Sequence, residues 1–359
     1  METKIEKITD IKKEETVFRM AGEIIKDGGL VAFPTETVYG LGANGLDAAA
    51  CAGIYAAKGR PSDNPLILHV ADRAMIDMVA EEVSPLAEKL IAFFCPGPLT
   101  LIVRKKACVP DSVTGGLATV GVRMPDNDVA RALIRAAGVP IAAPSANISG
   151  RPSPTTAGTV YEDMKGRIPL ILDGGNCRFG VESTIVDATG DTAIILRPGA
   201  ITPDMLGEVA DEVSIDPAII GADTIPKAPG MKYTHYAPKA PLTLISADDS
   251  NIAAAFAEEV NIKQNAGETV GVIVSEETAA FLKGKVPPEL IAVYGKRYEL
   301  NTIAAGLYES LRYFDNSRAT MLFGEAVTEE GLGLAIMNRL KKAAGGRIID
   351  FGKGIKKNY

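Results

Sequence analysis

Two cations stand close together in Lys58-Gly59-Arg60-Pro61-Ser62-Asp63-Asn64-Pro65. Arginine presents a planar fork that grips two phosphate oxygens, and lysine a mobile point charge, so Lys58 and Arg60 could clamp a polyphosphate. The same pair also suits the C-terminal end of a helix, where cations meet the carbonyl pole before a proline stop. A second group, Ala142-Ala143-Pro144-Ser145-Ala146-Asn147-Ile148-Ser149-Gly150, is crowded with small polar side chains. Ser145 and Asn147 can bond a phosphate or the edge of a base, or fold back into Asx and Ser turns. A third group, Pro34 to Gly42, places Thr35, Glu36 and Thr37 on a loop after a strand, where open α/β sheets bind ligands. Hydroxyls in such a loop also cap their own backbone amides. Arg60, Arg123 and Arg197 stand at strand or helix ends, as an anionic ligand would require; singly, such arginines also serve as surface ion-pair partners. Ser183-Thr184 opens a strand of the hairpin that Arg197-Pro198-Gly199 closes.

Other chemistries find little support. The chain has two histidines, His69 and His235, and no GxSxG, so a Ser-His-Asp hydrolase is a weak reading. His69 lies in an apolar strand and fits a hydrogen-bonded core histidine. Gly40-Leu41-Gly42-Ala43-Asn44-Gly45 matches GxGxxG, but a dinucleotide site needs this turn directly after a strand and opening a helix. Pro34 to Tyr39 intervene, so the segment is expected to be a tight turn. No GxxxxGK[ST] occurs. Cys51, Cys95, Cys108 and Cys177 form no CxxC pair and no zinc-spaced cluster with histidine; reduced, mostly buried thiols are expected. No metal-ligand set is assigned.

Elements must position these groups. The 359 residues suggest about two domains. With 47% hydrophobic and 23% charged residues, the chain is globular and not disordered, collagenous or disulfide-stapled. The net charge of -7 makes it a poor non-specific nucleic-acid binder, though a local basic cleft stays open. No h-region begins the chain and no apolar run reaches the ~18 residues of a membrane span, so a cytoplasmic protein is expected. Strands are expected at 30–33, 65–70, 99–103, 119–123, 139–143, 169–172, 183–188 and 192–196. Helices are expected at 47–58, with Asp47 as N-cap, and at 85–94, 128–138 and 155–165. Thr189-Gly190-Asp191 reads as a hairpin turn, and a hairpin within a βα alternation predicts a mixed sheet. Residues 1–215 form this first domain. Residues 216–241, rich in Pro and Gly, read as an ordered linker or functional loop. A second alternation over 242–346 predicts a smaller α/β domain with a mostly parallel sheet. Residues 347–359 read as a loose basic tail.

The motifs PTETVYGLG (34–42), KGRPSDNPL (58–66), PSANISG (144–150), STIVD (183–187) and LRPGAI (196–201) resemble those of the YrdC/Sua5 family. Lys58/Arg60 and Ser145/Asn147 match that family's Lys-x-Arg and Ser-x-Asn signature. The segment Pro229 to Pro238 and the second domain resemble the two-domain Sua5 type. The resemblance covers nearly the whole chain and implies a twisted N-terminal α/β sheet around a large electropositive cavity, a Rossmann-like second domain and a linker able to cover the site.

The resemblance implies L-threonylcarbamoyladenylate synthesis from L-threonine, bicarbonate and ATP with release of pyrophosphate. The product feeds N6-threonylcarbamoyladenosine formation at position 37 of tRNAs reading codons that begin with A. By the same resemblance, Lys58, Arg60, Ser145 and Asn147 are catalytic, Lys58 and Arg60 binding phosphates and Asn147 ordering the Ser145 turn or touching a phosphate. Thr37, His69, Arg123, Ala143 and Ser183 line a threonine pocket, with Arg123 on the carboxylate. Arg60, Asn64, Thr119, Ser145, Ser153, Arg197 and Tyr236 contact ATP. Mg2+ accompanies ATP on phosphate oxygens and water, with no dedicated carboxylate cage and Glu36 as an outer-shell candidate. Tyr233 and Tyr236 belong to the covering linker. A downstream tRNA threonylcarbamoyltransferase receives the product; strong tRNA binding and membrane association are not expected. Two alternatives are an RNA-binding module with an electropositive cleft and a carbamoyl-transfer module like that of hydrogenase maturation proteins, whose zinc-finger cysteines this chain lacks.

Overall fold

The computed structural model describes residues 1–219 and 236–352 and the backbone of 357–358. These residues fall into two compact units: Met1–Ser149 with 153–219, and Gly150–Pro152 with the residues from 236 onward.

The first unit carries strands β1 (Lys4–Lys7), β2 (Val31–Phe33), β3 (Gly40–Asn44), β4 (Ile67–His69), β5 (Ala80–Glu82), β6 (Leu99–Lys105), β7 (Thr119–Arg123), β8 (Ile141–Ala142), β9 (Leu170–Asp173), β10 (Thr184–Asp187), β11 (Ala193–Arg197) and β12 (Val213–Ile215). They run in the order β1-β9-β2-β3-β8-β4-β7-β6-β10-β11-β12, with β5 on β6. The sheet is mixed: β4 lies parallel to β7, while β2/β3, β3/β8, β6/β7 and the β10/β11 hairpin are antiparallel. Helices α1 (Glu15–Lys26), α2 (Ala48–Lys58), α3 (Arg73–Val79), α4 (Pro85–Phe94), α5 (Asp111–Thr114), α6 (Asp128–Ala137), α7 (Ala157–Met164) and α8 (Pro203–Gly207) connect them.

Local chemistry sets the helix ends. Asp47 accepts the amides of Ala49 and Ala50 at the start of α2, and Gly59 closes it at φ 61°, a conformation open to glycine without a Cβ clash. Ser84 caps α4, whose first residue is Pro85. In α6, Val129, Ala130, Leu133, Ile134 and Ala137 recur at helical spacing and are buried against the side that α1 covers with Phe18, Ala21 and Ile25. A Cβ on Gly22 of α1 would lie 2.6 Å from the backbone of Ala136, so the two helices touch through glycine.

One expectation is corrected here. Residues 40–45 are not a tight turn: Gly40–Asn44 is β3, paired antiparallel with β2, and the turn is Pro34 to Tyr39. The glycines are packing devices, since a Cβ on Gly42 would meet Phe33 at 2.8 Å and Ile141 at 2.7 Å.

The second unit holds β13 (Leu242–Ser246), α9 (Ile252–Asn265), β14 (Val270–Ser275), α10 (Glu276–Leu282), β15 (Ile291–Gly295), α11 (Leu300–Arg312), β16 (Met321–Glu325), α12 (Leu332–Ala343), β17 (Ile348–Asp350) and β18 (Lys357–Asn358). The sheet order is β15-β14-β16-β13-β17-β18, parallel throughout except for the last pair. Every residue of β14 is buried, as expected of a strand covered on both faces by helices. Ile348–Asp350 thus departs from the expected loose tail: the isoleucines of this otherwise basic stretch extend the sheet alongside β13.

Candidate active site

The end of α2 meets the Ser145 loop directly. Lys58 is 1% exposed, and its Nζ donates to the carbonyl oxygens of Ser145 and of Asn147, the latter at 2.6 Å. It also reaches Asn147 Oδ1 at 3.4 Å, while the Ser149 amide returns to the Lys58 carbonyl at 2.9 Å. Ser145 Oγ donates to Asn147 Oδ1, and Asn147 Nδ2 to the Ile148 carbonyl at 2.9 Å. The loop after β2 closes the other side, because the Ala146 amide binds the Tyr39 carbonyl at 2.8 Å and the Leu41 amide that of Pro144 at 2.9 Å. Three motifs distant in sequence therefore share one hydrogen-bonded core.

Beyond α2, Arg60 is only half-buried. Its Nη2 reaches the carbonyls of Asn64 at 3.5 Å and Pro65 at 3.2 Å. Thr119, at the start of β7, lines a crevice with Pro65 and Leu66, so Arg60, Asn64 and Thr119 gather at one end of β4 and β7.

At the other end of these strands, parallel register pairs His69 with Arg123. His69 is buried, its Nδ1 3.3 Å from the Ile67 carbonyl oxygen. Burial and the nearby Arg123 charge lower its pKa to about 3, so it is neutral at physiological pH. The Ala143 amide binds the same Ile67 carbonyl side at 2.9 Å. Arg123, also buried, places Nη2 2.8 Å from Oε2 of Glu36. Thr37 is fully buried, its hydroxyl 2.9 Å from that of Thr35, which also accepts the Thr37 and Val38 amides. Close by, burial pushes the Cys95 thiol up to about 11 while the Arg123 charge opposes it.

A fourth group surrounds the start of β10. Ser183 Oγ lies 2.7 Å from Thr100 Oγ1 and accepts Arg197 Nη2 at 3.0 Å; the same guanidinium holds the Ser183 carbonyl through Nε at 3.0 Å and Nη2 at 2.9 Å. Ser153 Oγ donates to Glu182 at 2.7 Å. Gly199 permits this closeness: its Cβ would fall 2.3 Å from the Thr184 amide nitrogen.

Away from β10, the expected residues of the first unit thus form three clusters: Lys58 with Ser145 and Asn147; Arg60 with Asn64 and Thr119; and the buried set of Thr37, His69, Arg123 and Ala143. Ser183 with Arg197, and Ser153 with Glu182, lie around β10. Tyr236 belongs to the second unit, where it is buried, takes φ 67° and stacks on Tyr308 at 5.3 Å. Tyr233 lies outside the described residues. Two carboxylates were not assigned to these pairs from sequence: Glu36, the partner of Arg123, and Glu182, the partner of Ser153. The signal for Glu36 was a charged residue between two threonines in an otherwise apolar run. Glu182 gave none.

Residues 23–199 match the Sua5/YciO/YrdC family, described as telomere recombination, and residues 201–345 the threonylcarbamoyl-AMP synthase C-terminal domain. The chain is 45% identical to a threonylcarbamoyl-AMP synthase of Bacillus subtilis strain 168, over 95% of this chain and 97% of that one. It is 46% identical to the enzyme of that name from Pyrococcus abyssi, over 94% and 96%. A crystal structure of P. abyssi Sua5 complexed with L-threonine superposes with a TM-score of 0.90, covering 97% of this chain and 99% of that one at 45% identity. With the motifs clustered as described and likeness running through both units, the chain belongs to the two-domain Sua5 family of threonylcarbamoyl-AMP synthases.

Proposed function

We infer that this chain is an L-threonylcarbamoyladenylate synthase: it joins L-threonine, bicarbonate and ATP and releases pyrophosphate and water. The observation that carries the residue assignment is the Lys58–Ser145–Asn147 core, which fixes the two halves of the family signature against each other. The threonine amine and bicarbonate give a carbamate with loss of water. A carbamate oxygen then attacks the α-phosphorus of ATP, and the bond to the departing pyrophosphate breaks. Carbamate and ATP are both anions, so the protein's task is to offset charge and align the reactants; no protein nucleophile is needed.

Each cluster takes part of that task. Arg60 binds and neutralises phosphate oxygens as the pyrophosphate leaves. Lys58 acts mainly through the Ser145 loop it anchors, with Ser145 presented to the nucleotide. Asn64, Thr119, Ser153 and Arg197 complete the nucleotide contacts within the first unit. Arg123 takes the threonine carboxylate, while Thr37, neutral His69, Ala143 and Ser183 surround the rest of the amino acid. ATP enters as its Mg2+ complex, the ion carried on phosphate oxygens and water. Such a small hard cation keeps several waters and binds mainly through the substrate phosphates.

No described helix is long and apolar enough to cross a membrane. All four cysteines are free thiols, which supports a reducing cytoplasm. The product passes to a tRNA threonylcarbamoyltransferase for N6-threonylcarbamoyladenosine formation. Pyrophosphate release tests the assignment: omitting threonine or bicarbonate is expected to abolish it, and undiminished release without threonine would refute it.

A further inference from the structure

The Glu36–Arg123 pair is peculiar in a way that the reaction explains. Glu36 is 3% exposed and Arg123 4%. Nη2 and Oε2 are 2.8 Å apart, yet neither oxygen of Glu36 accepts a hydrogen bond from any described residue, and Nε and Nη2 of Arg123 donate none. Buried charges ordinarily fill their lone pairs and protons, because leaving them unmatched is costly. Both side chains spring from firmly held backbone. The Glu36 carbonyl accepts the Phe179 amide at 2.8 Å, Thr35 fixes the next turn, and Arg123 is locked in register beside His69. The two charges thus meet from fixed backbone positions as an ion pair whose hydrogen-bonding capacity is unfilled.

An α-amino acid carries the complementary pair, an ammonium and a carboxylate on one carbon. Resting on the synthase reading and on Arg123 as the carboxylate site, we propose that Glu36 binds the ammonium group of the amino-acid substrate, so that Glu36 and Arg123 together select a zwitterion. The neighbours suit this role. Neutral His69 neither repels an ammonium nor competes as a cation for the carboxylate, and the Cys95 thiol stays protonated. An acid without the amino group would share the Arg123 charge with Glu36 and bring no cation in return, which makes the pair a specificity device as well as a binding one.

Calorimetry on the full chain tests this with three ligands: L-threonine, 3-hydroxybutyrate (threonine without its amino group) and ATP. Glu36→Gln is expected to weaken L-threonine by about tenfold to a hundredfold, the loss of one charge-assisted contact. It should leave ATP unchanged and 3-hydroxybutyrate unchanged or tighter. Threonine binding that is undiminished or stronger in E36Q overturns the proposal, since Glu36 would then only screen Arg123. Should E36Q fail to fold, Glu36→Asp retains the charge but withdraws it by one methylene. It is expected to weaken threonine alone, and wild-type affinity in E36D overturns the proposal equally. Failure of the wild-type protein to bind threonine would instead defeat the synthase reading on which the proposal stands.

Discussion

Lys58 Nζ lies 2.6 Å from the carbonyl oxygen of Asn147, a residue 89 positions further along the chain. Lys58 is almost wholly buried, and its Nζ donates to the backbone oxygens of Ser145 and Asn147. Lys58→Met is therefore expected to leave buried carbonyls without a donor and to cost about 1–3 kcal/mol of stability. Turnover should collapse with it, because Ser145 loses its anchor. Urea midpoints and pyrophosphate release on the same variant check this, and an unchanged midpoint would show that the loop holds itself.

Arg60 offers the opposite profile. It is half-buried, and its Nη2 reaches the carbonyls of Asn64 and Pro65 at 3.5 and 3.2 Å, at the edge of hydrogen-bond range. Arg60→Ala should shift the melting temperature little, yet lower kcat/KM for ATP by about a hundredfold or more, the scale of losing a preorganised transition-state donor. Steady-state kinetics with a melting control separates the two effects.

His69 predicts a pH dependence. Its folded pKa of about 3 lies below the ordinary value of about 6.5. Between those values the unfolded chain binds the extra proton, so stability is full above about pH 6.5 and falls as pH drops toward 3. Stability measured from pH 8 to pH 4 should fall less steeply in His69→Gln; an identical slope would show that other groups carry the acid sensitivity.

In the second unit, Glu325 is 1% exposed and accepts the Ser275 amide, the Ser275 hydroxyl and Arg297. Glu325→Gln leaves the Arg297 charge without its counter-ion and should cost about 3 kcal/mol. A lowered unfolding midpoint is the expected result, and a rise would mean that the buried charges were a burden.

Much of the first unit was legible because its signals were local. Asp47 marks the start of α2, and the Thr189-Gly190-Asp191 turn marks the hairpin that β10 and β11 form. Gly40–Asn44 misled because its glycines answer to Phe33 and Ile141, neighbours in space that no sequence window contains. The candidate residues carried recognisable motifs, but their pairings did not. Glu36 finds Arg123 through the register of β4 and β7 and the turn after β2, and Ser153 finds Glu182 across the fold. Ile348 and Ile349 were obscured by the basic residues around them.

Those two isoleucines have a practical consequence. The parallel strand they belong to shields the flank of Leu242–Ser246, whose amides and carbonyls would otherwise face outward as an unpaired row. Trimming the polypeptide at residue 346 would bare that row, and samples shortened there should self-associate on concentration.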